Sequence, residues 1–167
     1  MKSLQKMLLE ANILEATSNC ENYDDVIKLA KANDTFTKVK SFFGSRGRAF
    51  ELTLGTLTLH VEFLGYEECL YSFLDKSEEE IYGIHSTIEP YKVDWQKLFN
   101  DPKGWCDDKI DDMNDNLKST DQKIKAAERT YNRTGKSDDA NKLNSLKSFR
   151  GGIEKAISTL TNLKKLL

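Results

Sequence analysis

Histidine is almost missing from this 167-residue chain, with two in all, and cysteine stops at three. Cys20, Cys69 and Cys106 are odd in number and widely spaced, and His60 and His85 are the sole imidazoles. Neither a disulfide framework nor a zinc module with paired ligands is expected. The cysteines should instead pack as small apolar side chains in a reducing setting such as bacterial cytoplasm. No apolar run approaches the ~18–20 residues that cross a bilayer, so no membrane partner is expected. The basic N-terminus also lacks the continuous apolar stretch of a secretory signal, which argues against export.

Hydrophobic residues at 38% and charged residues at 31% describe a soluble chain with a well-charged surface and the length of one ordinary domain, or of a small domain with an appendage. The net charge of −2 conceals an uneven distribution. Residues 118–167 hold twelve Lys/Arg against five Asp/Glu, leaving 13 against 22 in residues 1–117. A basic last third behind an acidic remainder is a binding signal.

Thirteen of the sixteen aromatic residues fall between Phe36 and Trp105, which places a compact core there. Asn22 or Asp24 can cap a short helix bearing Val26, Ile27 and Leu29, and Gly44-Ser45-Arg46-Gly47 reads as a turn. The plainest β signal follows. Phe50, Leu52 and Leu54 alternate with polar residues, and after Gly55 the apolar phase resumes one residue out of step at Leu57, Leu59, Val61 and Phe63. A two-residue Gly55-Thr56 turn explains the change of phase, because glycine tolerates positive φ at the first turn position; a bulge at Gly55 is the alternative. Cys69–Leu74 and Ile81–Ile88 are weaker strand candidates, giving three or four antiparallel strands. Pro90 and a segment capped by Asp94, bearing Trp95, Leu98 and Phe99, return the chain to helix, and Pro102 with Gly104 marks a boundary.

Beyond it the spacing changes. Ile110, Met113, Leu117, Thr120, Ile124, Ala127 and Tyr131 step by three and four, as do Leu146, Phe149, Ile153, Ala156, Leu160, Leu163 and Leu167. These are two heptad seams. Paired antiparallel, facing residue numbers add to 276 or 277, which puts the turn centre between Asp138 and Asp139, next to Gly135-Lys136-Ser137. The expected fold is therefore α+β: a small antiparallel sheet with short helices over residues 11–102, then a long antiparallel helical hairpin over residues 103–167, each arm ~40 Å at ~1.5 Å per residue. Gly151-Gly152 is its weak point, at a cost of about 1 kcal/mol per glycine against alanine. Leu143, Ile157, Leu166 and Trp105 lie off the seam.

Catalytic signatures are scarce. The carboxylates from Asp107 to Asp115 have the i, i+4 spacing of a magnesium or calcium site, yet they open a helix, where acids meet the positive dipole end, and Lys164 and Lys165 come back opposite them; structural pairing is the preferred reading. Gly135-Lys136-Ser137 lacks the earlier glycine and the strand of a phosphate loop. His60 lies on the polar phase of its strand, and no spacing joins either histidine to a nucleophile. No metal and no cofactor are expected, and no enzymatic activity, although a site assembled only in three dimensions stays open. Lys123, Lys125, Arg129, Arg133 and Lys136 cluster toward the hairpin tip, with Arg46 and Arg48 as a second basic element. They are the candidate contacts for an acidic protein face or for phosphates; a solvated helix face is the plainer alternative.

The N-terminal segment carries the functional clue. In Met1-Lys2-Ser3-Leu4-Gln5-Lys6-Met7-Leu8-Leu9-Glu10-Ala11, five residues (Met1, Lys2, Gln5, Glu10 and Ala11) match the pattern Met-Lys-Thr-Tyr-Gln-Glu-Phe-Ile-Ala-Glu-Ala. This segment resembles the capsid-targeting propeptide of internal head proteins from T-even-type bacteriophages; Leu4, Lys6 and Leu9 depart from it. The resemblance implies a prohead protease that cuts after Leu/Ile-x-Glu, satisfied by Leu8-Leu9-Glu10 before Ala11 and again by Ile13-Leu14-Glu15 before Ala16. It also implies binding of the N-terminus to the prohead scaffold and a place in the virion interior. Delivery to the host cytoplasm with the DNA would follow, and then non-enzymatic inhibition of a host defence factor such as a restriction nuclease. The same residues fit an amphipathic helix over Met1–Glu15. A nucleic-acid-associated or scaffold-binding structural protein using the basic hairpin is the second reading, and a small enzyme the third.

Overall fold

The computed structural model describes residues 20–65 and 68–167. The processing residues Leu8, Glu10, Ala11, Ile13, Glu15 and Ala16 lie outside the described residues. Helix α1 (Tyr23–Ala32) begins at Asn22, whose side-chain oxygen accepts hydrogen bonds from the backbone N–H groups of Asp24 and Asp25. Of the two capping candidates it is Asn22 that satisfies these otherwise orphaned donors.

Five strands follow as an antiparallel meander: β1 (Lys38–Phe43), β2 (Arg48–Leu54), β3 (Leu57–Leu64), β4 (Glu68–Leu74) and β5 (Glu80–Gly83), hydrogen-bonded in chain order. Gly55 takes φ +59 between paired Leu54 and Leu57, so the two-residue turn forms rather than a bulge. In register, Phe50 faces Val61 and Val61 faces Tyr71, while Leu52 faces Leu59 and Leu59 faces Phe73. Across β2, β3 and β4 one face of the sheet is thus continuously apolar, because neighbours in register share a face.

Two sheet expectations need correction. β1 is a strand with no counterpart in the sequence reading; its alternation is masked because it lies at the sheet edge, where Lys38, Lys40 and Ser41 are exposed and Phe43 is 84% exposed. The expected strand Ile81–Ile88 stops at Gly83 and starts at Glu80. Past Ile84 the chain leaves β4 and touches it again only through the Cys69–Ile88 bridge.

A 3-10 turn (Pro90–Lys92) and helix α2 (Trp95–Asn100) close this region, with Asp94 capping α2 through the Lys97 N–H. The Trp95 indole N–H donates to the Pro90 carbonyl at 2.8 Å. Phe50, Phe63, Phe73, Leu98 and Phe99 have no exposure at all. Their rings meet edge-on or tilted, Tyr23 on Phe63 at 5.3 Å, Phe50 on Phe99 at 6.3 Å and Tyr71 on Trp95 at 5.8 Å, arrangements that suit the aromatic quadrupole.

Helices α3 (Pro102–Thr134) and α4 (Ser137–Leu166) pack against each other as the hairpin. Pro102 stands in the first turn, where its missing N–H costs nothing. The connection is only Gly135-Lys136; Gly135 adopts φ +62 and its N–H closes on the Tyr131 carbonyl at 2.8 Å, the left-handed cap that ends a helix. So tight a link moves the register. Asp121 pairs with Arg150 at 2.7 Å and Asp107 with Lys164, and both pairs have residue numbers that add to 271 rather than 276–277. The turn centre accordingly lies near Gly135-Lys136, about three residues before the expected one.

The α3 seam is as expected at Thr120, Ile124 and Ala127, all buried. On α4 the buried apolar positions are Leu143, Ile153, Leu160 and Leu163, with Leu146, Ala156 and Ile157 half-buried and Arg150 beside them, so Leu146, Ile153, Ala156, Leu160 and Leu163 are as expected. Leu143 and Ile157, expected off the seam, are on it, and Phe149, expected on it, is 62% exposed. The described residues divide into two compact units, one reaching to Trp105 and including Leu166 and Leu167, the other Cys106–Lys165.

Candidate functional site

Within the hairpin unit, Lys125, Arg129 and Arg133 follow at four-residue steps on α3, so they share one helix face, with Lys136 at the tip beyond them. All four are exposed, as is Lys123. None of the five forms an ion pair among the described residues. The nearby acids are engaged elsewhere: Glu128 holds Lys147 at 3.0 Å, Asp121 holds Arg150, and Asp139 accepts from the Thr134 hydroxyl. Lys123 stands apart from the stripe and, with Lys142, borders a shallow groove of about 290 Å³ floored by Ala127 and Leu146. The acidic start of α3 behaves as structural pairing predicts at one point, where Lys164 meets Asp107. Among the described residues no group of three or more His, Cys, Asp or Glu side chains gathers as a metal site.

The two arginines of the glycine turn have separate environments. Arg48 lies over the Tyr23 ring at 4.0 Å and pairs with Asp24 at 3.0 Å, which ties the start of β2 to α1. Arg46 instead lines a polar groove of about 300 Å³ on the open face of the sheet, together with His60, Glu62, Ser72, Glu80 and His85. Its backbone N–H donates to the Glu62 carboxylate at 3.0 Å. Both histidines therefore open into one groove, each beside a carboxylate: His60 Nδ1 is 3.3 Å from Glu51 Oε1 and His85 Nε2 is 3.1 Å from Glu80 Oε1. Sequence spacing did not reveal this convergence, since the groove residues span Arg46 to His85 and meet only through strand register.

The cysteines are buried as small apolar side chains. Burial pushes the Cys69 thiol up to about 12, and its Sγ–H donates to the Ile88 carbonyl at 3.4 Å. Cys106 is likewise raised to about 12, by burial first and by the neighbouring Asp107 carboxylate second, with Lys164 acting in the opposite direction. Cys20 rises to about 11, from burial and then the charge of Asp25. Thiols held protonated in this way make poor nucleophiles at neutral pH. No helix among the described residues is long and apolar enough to cross a membrane.

No protein-family model, curated protein or solved structure matches this chain.

Proposed function

We propose that the chain is a bacteriophage internal head protein. In this reading it is packaged through its first ten residues, trimmed after Glu10 or Glu15, and released with the DNA into the bacterial cytoplasm, where it binds and inhibits a host defence factor. The observation that carries the binding half is the stripe Lys125, Arg129, Arg133 and Lys136, four exposed cations without ion pairs among the described residues. A cation already paired within its own chain has less to gain from a partner. Here Arg129 and Arg133 keep their planar donor forks available for carboxylates on an acidic protein face. The packaging half rests on the resemblance of residues 1–10 to capsid-targeting propeptides.

Mass spectrometry of purified virions tests packaging: a chain beginning at Ala11 or Ala16 is expected, and a chain beginning at Met1, or none in the particle, overturns it. The binding surface is tested by the double reversal Arg129→Glu with Arg133→Glu, which is expected to weaken capture of the host factor by at least ~10-fold, as loss of charge-assisted contacts predicts. The second reading, a nucleic-acid-associated structural protein, rests on the same stripe. It predicts duplex affinity that falls steeply with salt and is lost in the double reversal.

A further inference from the structure

We propose that Glu51, His60 and Ser72 form an acyl-transfer site: Ser72 Oγ is the nucleophile, His60 Nε2 its general base and Glu51 the positioning residue, acting on small esters whose carbonyl sits in the groove beside Arg46. This activity is separate from the hairpin's binding face.

Strand register aligns the three residues. Glu51 on β2 stands opposite His60 on β3, and His60 stands opposite Ser72 on β4, so acid, imidazole and hydroxyl form one row across three adjacent strands on the open face. A nucleophile needs a base beside it and the base needs a third group to fix its tautomer. The observed atom usage meets the second condition. An ionised carboxylate only accepts hydrogen bonds, so the His60 nitrogen facing Glu51 Oε1, Nδ1, carries the proton and leaves Nε2 as the basic nitrogen. The Phe42 ring lies 5.7 Å from the imidazole and shields one of its sides.

For the first condition, Ser72 is the direct cross-strand partner of His60 and lines the same groove. Cross-strand neighbours have Cβ atoms about 4.5–5.5 Å apart, within reach of a rotamer change, and catalytic hydrogen bonds are often long before substrate binds. Its hydroxyl has no hydrogen-bond partner among the described residues. On the other side of Ser72 the register places Gly83, where a Cβ would come within 2.9 Å of the Ser72 Cβ. The same Cβ would come within 2.7 Å of Glu80 Oε2, so glycine there leaves room for the Glu80 carboxylate beside the serine.

In the forward step Ser72 Oγ bonds to the acyl carbon as its proton passes to His60 Nε2. The Arg46 guanidinium offers donors to the oxyanion. Collapse breaks the bond to the leaving oxygen, which takes the proton from Nε2. Water then repeats the sequence on the acyl-serine, releasing the carboxylic acid and restoring Ser72.

The full chain is treated with a fluorophosphonate probe and mapped by peptide mass spectrometry, and hydrolysis of p-nitrophenyl acetate is followed in parallel. A single adduct on Ser72 is expected. Ser72→Ala should abolish labelling and lower kcat/KM at least ~100-fold, His60→Gln should do the same, and Glu51→Gln should lower kcat at least ~10-fold with KM unchanged, in line with the ~10²–10⁴ contributed by a positioned base. These residues lie on the open face, so matching thermal melts are expected for all variants. Absence of a Ser72 adduct in the parent chain overturns the proposal, and that readout needs no variant to fold. Ser72→Ala hydrolysing the ester as fast as the parent also overturns it, because imidazole alone would then account for turnover.

Discussion

The sheet region and the hairpin are both built from apolar patterning, yet they use it differently. In the sheet region whole aromatic rings are withdrawn from water: Phe50, Phe63, Phe73 and Phe99 show no exposure and contact one another or Tyr23, Trp95 and Trp105. In the hairpin the upper seam consists of Ile124, Ala127, Leu143 and Leu146, small or aliphatic side chains whose buried members remain 8–9% exposed. A side chain closed on all sides is bound to one arrangement, because interiors are packed to crystal-like density. Toward the tip the two-helix seam touches water along both flanks, whereas farther along α4 Leu160 and Leu163 are closed. The lesson is that the sheet supplies positional accuracy and the hairpin supplies surface. A catalytic row belongs on the first, and a broad charged contact face belongs on the second.

Replacement of a sealed ring should be the most damaging change. Phe50→Ala is expected to cost about 3–5 kcal/mol by lost transfer energy and a residual cavity, measured by urea denaturation. A cost below 1 kcal/mol would mean that this core is as forgiving as the hairpin seam. Next in size is Leu143→Ala, expected to cost about 2 kcal/mol, near the low end for buried leucine because the seam can collapse. Loss of helical far-ultraviolet signal with near-ultraviolet aromatic signal retained would sharpen the contrast; simultaneous loss of both would erase it.

A smaller effect of opposite sign tests the hairpin's tolerance. At Gly151 and Gly152 an added Cβ would meet nothing within 4 Å, and both residues sit inside the continuous helix Ser137–Leu166. Gly152→Ala should therefore stabilise the chain by about 1 kcal/mol through helix propensity, read as a rise in Tm. Unchanged or reduced stability would show that the site needs the glycine for close approach.

The smallest expected effect concerns the sheet thiol. Cys69 is raised from 9.0 to about 12 in the folded chain. The unfolded chain therefore releases this proton first, so stability is fully present below pH 9 and declines as pH rises toward 12. Stability measured from pH 8 to pH 9.5 should fall by about 0.8 kcal/mol more for the parent than for Cys69→Ala, and an aromatic disulfide reagent should leave all three thiols unmodified until denaturant is added. Equal slopes would mean that the thiol is accessible in the native sheet.

How much of this could be read in advance depends on how local the determining physics is. Gly55 announced the β2–β3 turn because positive φ at one position and a phase change in the flanking residues are neighbouring facts. Asn22 and Asp94 were legible as caps for the same reason. β1 escaped notice because edge strands do not need alternation: Lys38, Lys40 and Ser41 face water on a strand that packs little, and Phe43 is exposed besides. The second hairpin arm carries two overlapping heptads. One runs through Leu146, Phe149, Ile153 and Ala156, the other through Leu143, Arg150 and Ile157, sharing Leu146, Ile153 and Leu160. Periodicity is equally content with either.

By itself, the sequence determined the α+β division, the strand phases around Gly55, the capped helices, the burial of the cysteines and the presence of a hairpin. Each of these follows from propensity and patterning within a few residues of the chain. Tertiary structure alone decided the hairpin register, because the two-residue Gly135-Lys136 link sets which turn of α4 meets which turn of α3. It alone also decided the row Glu51, His60 and Ser72, since strand register brings onto one face residues that no linear spacing connects.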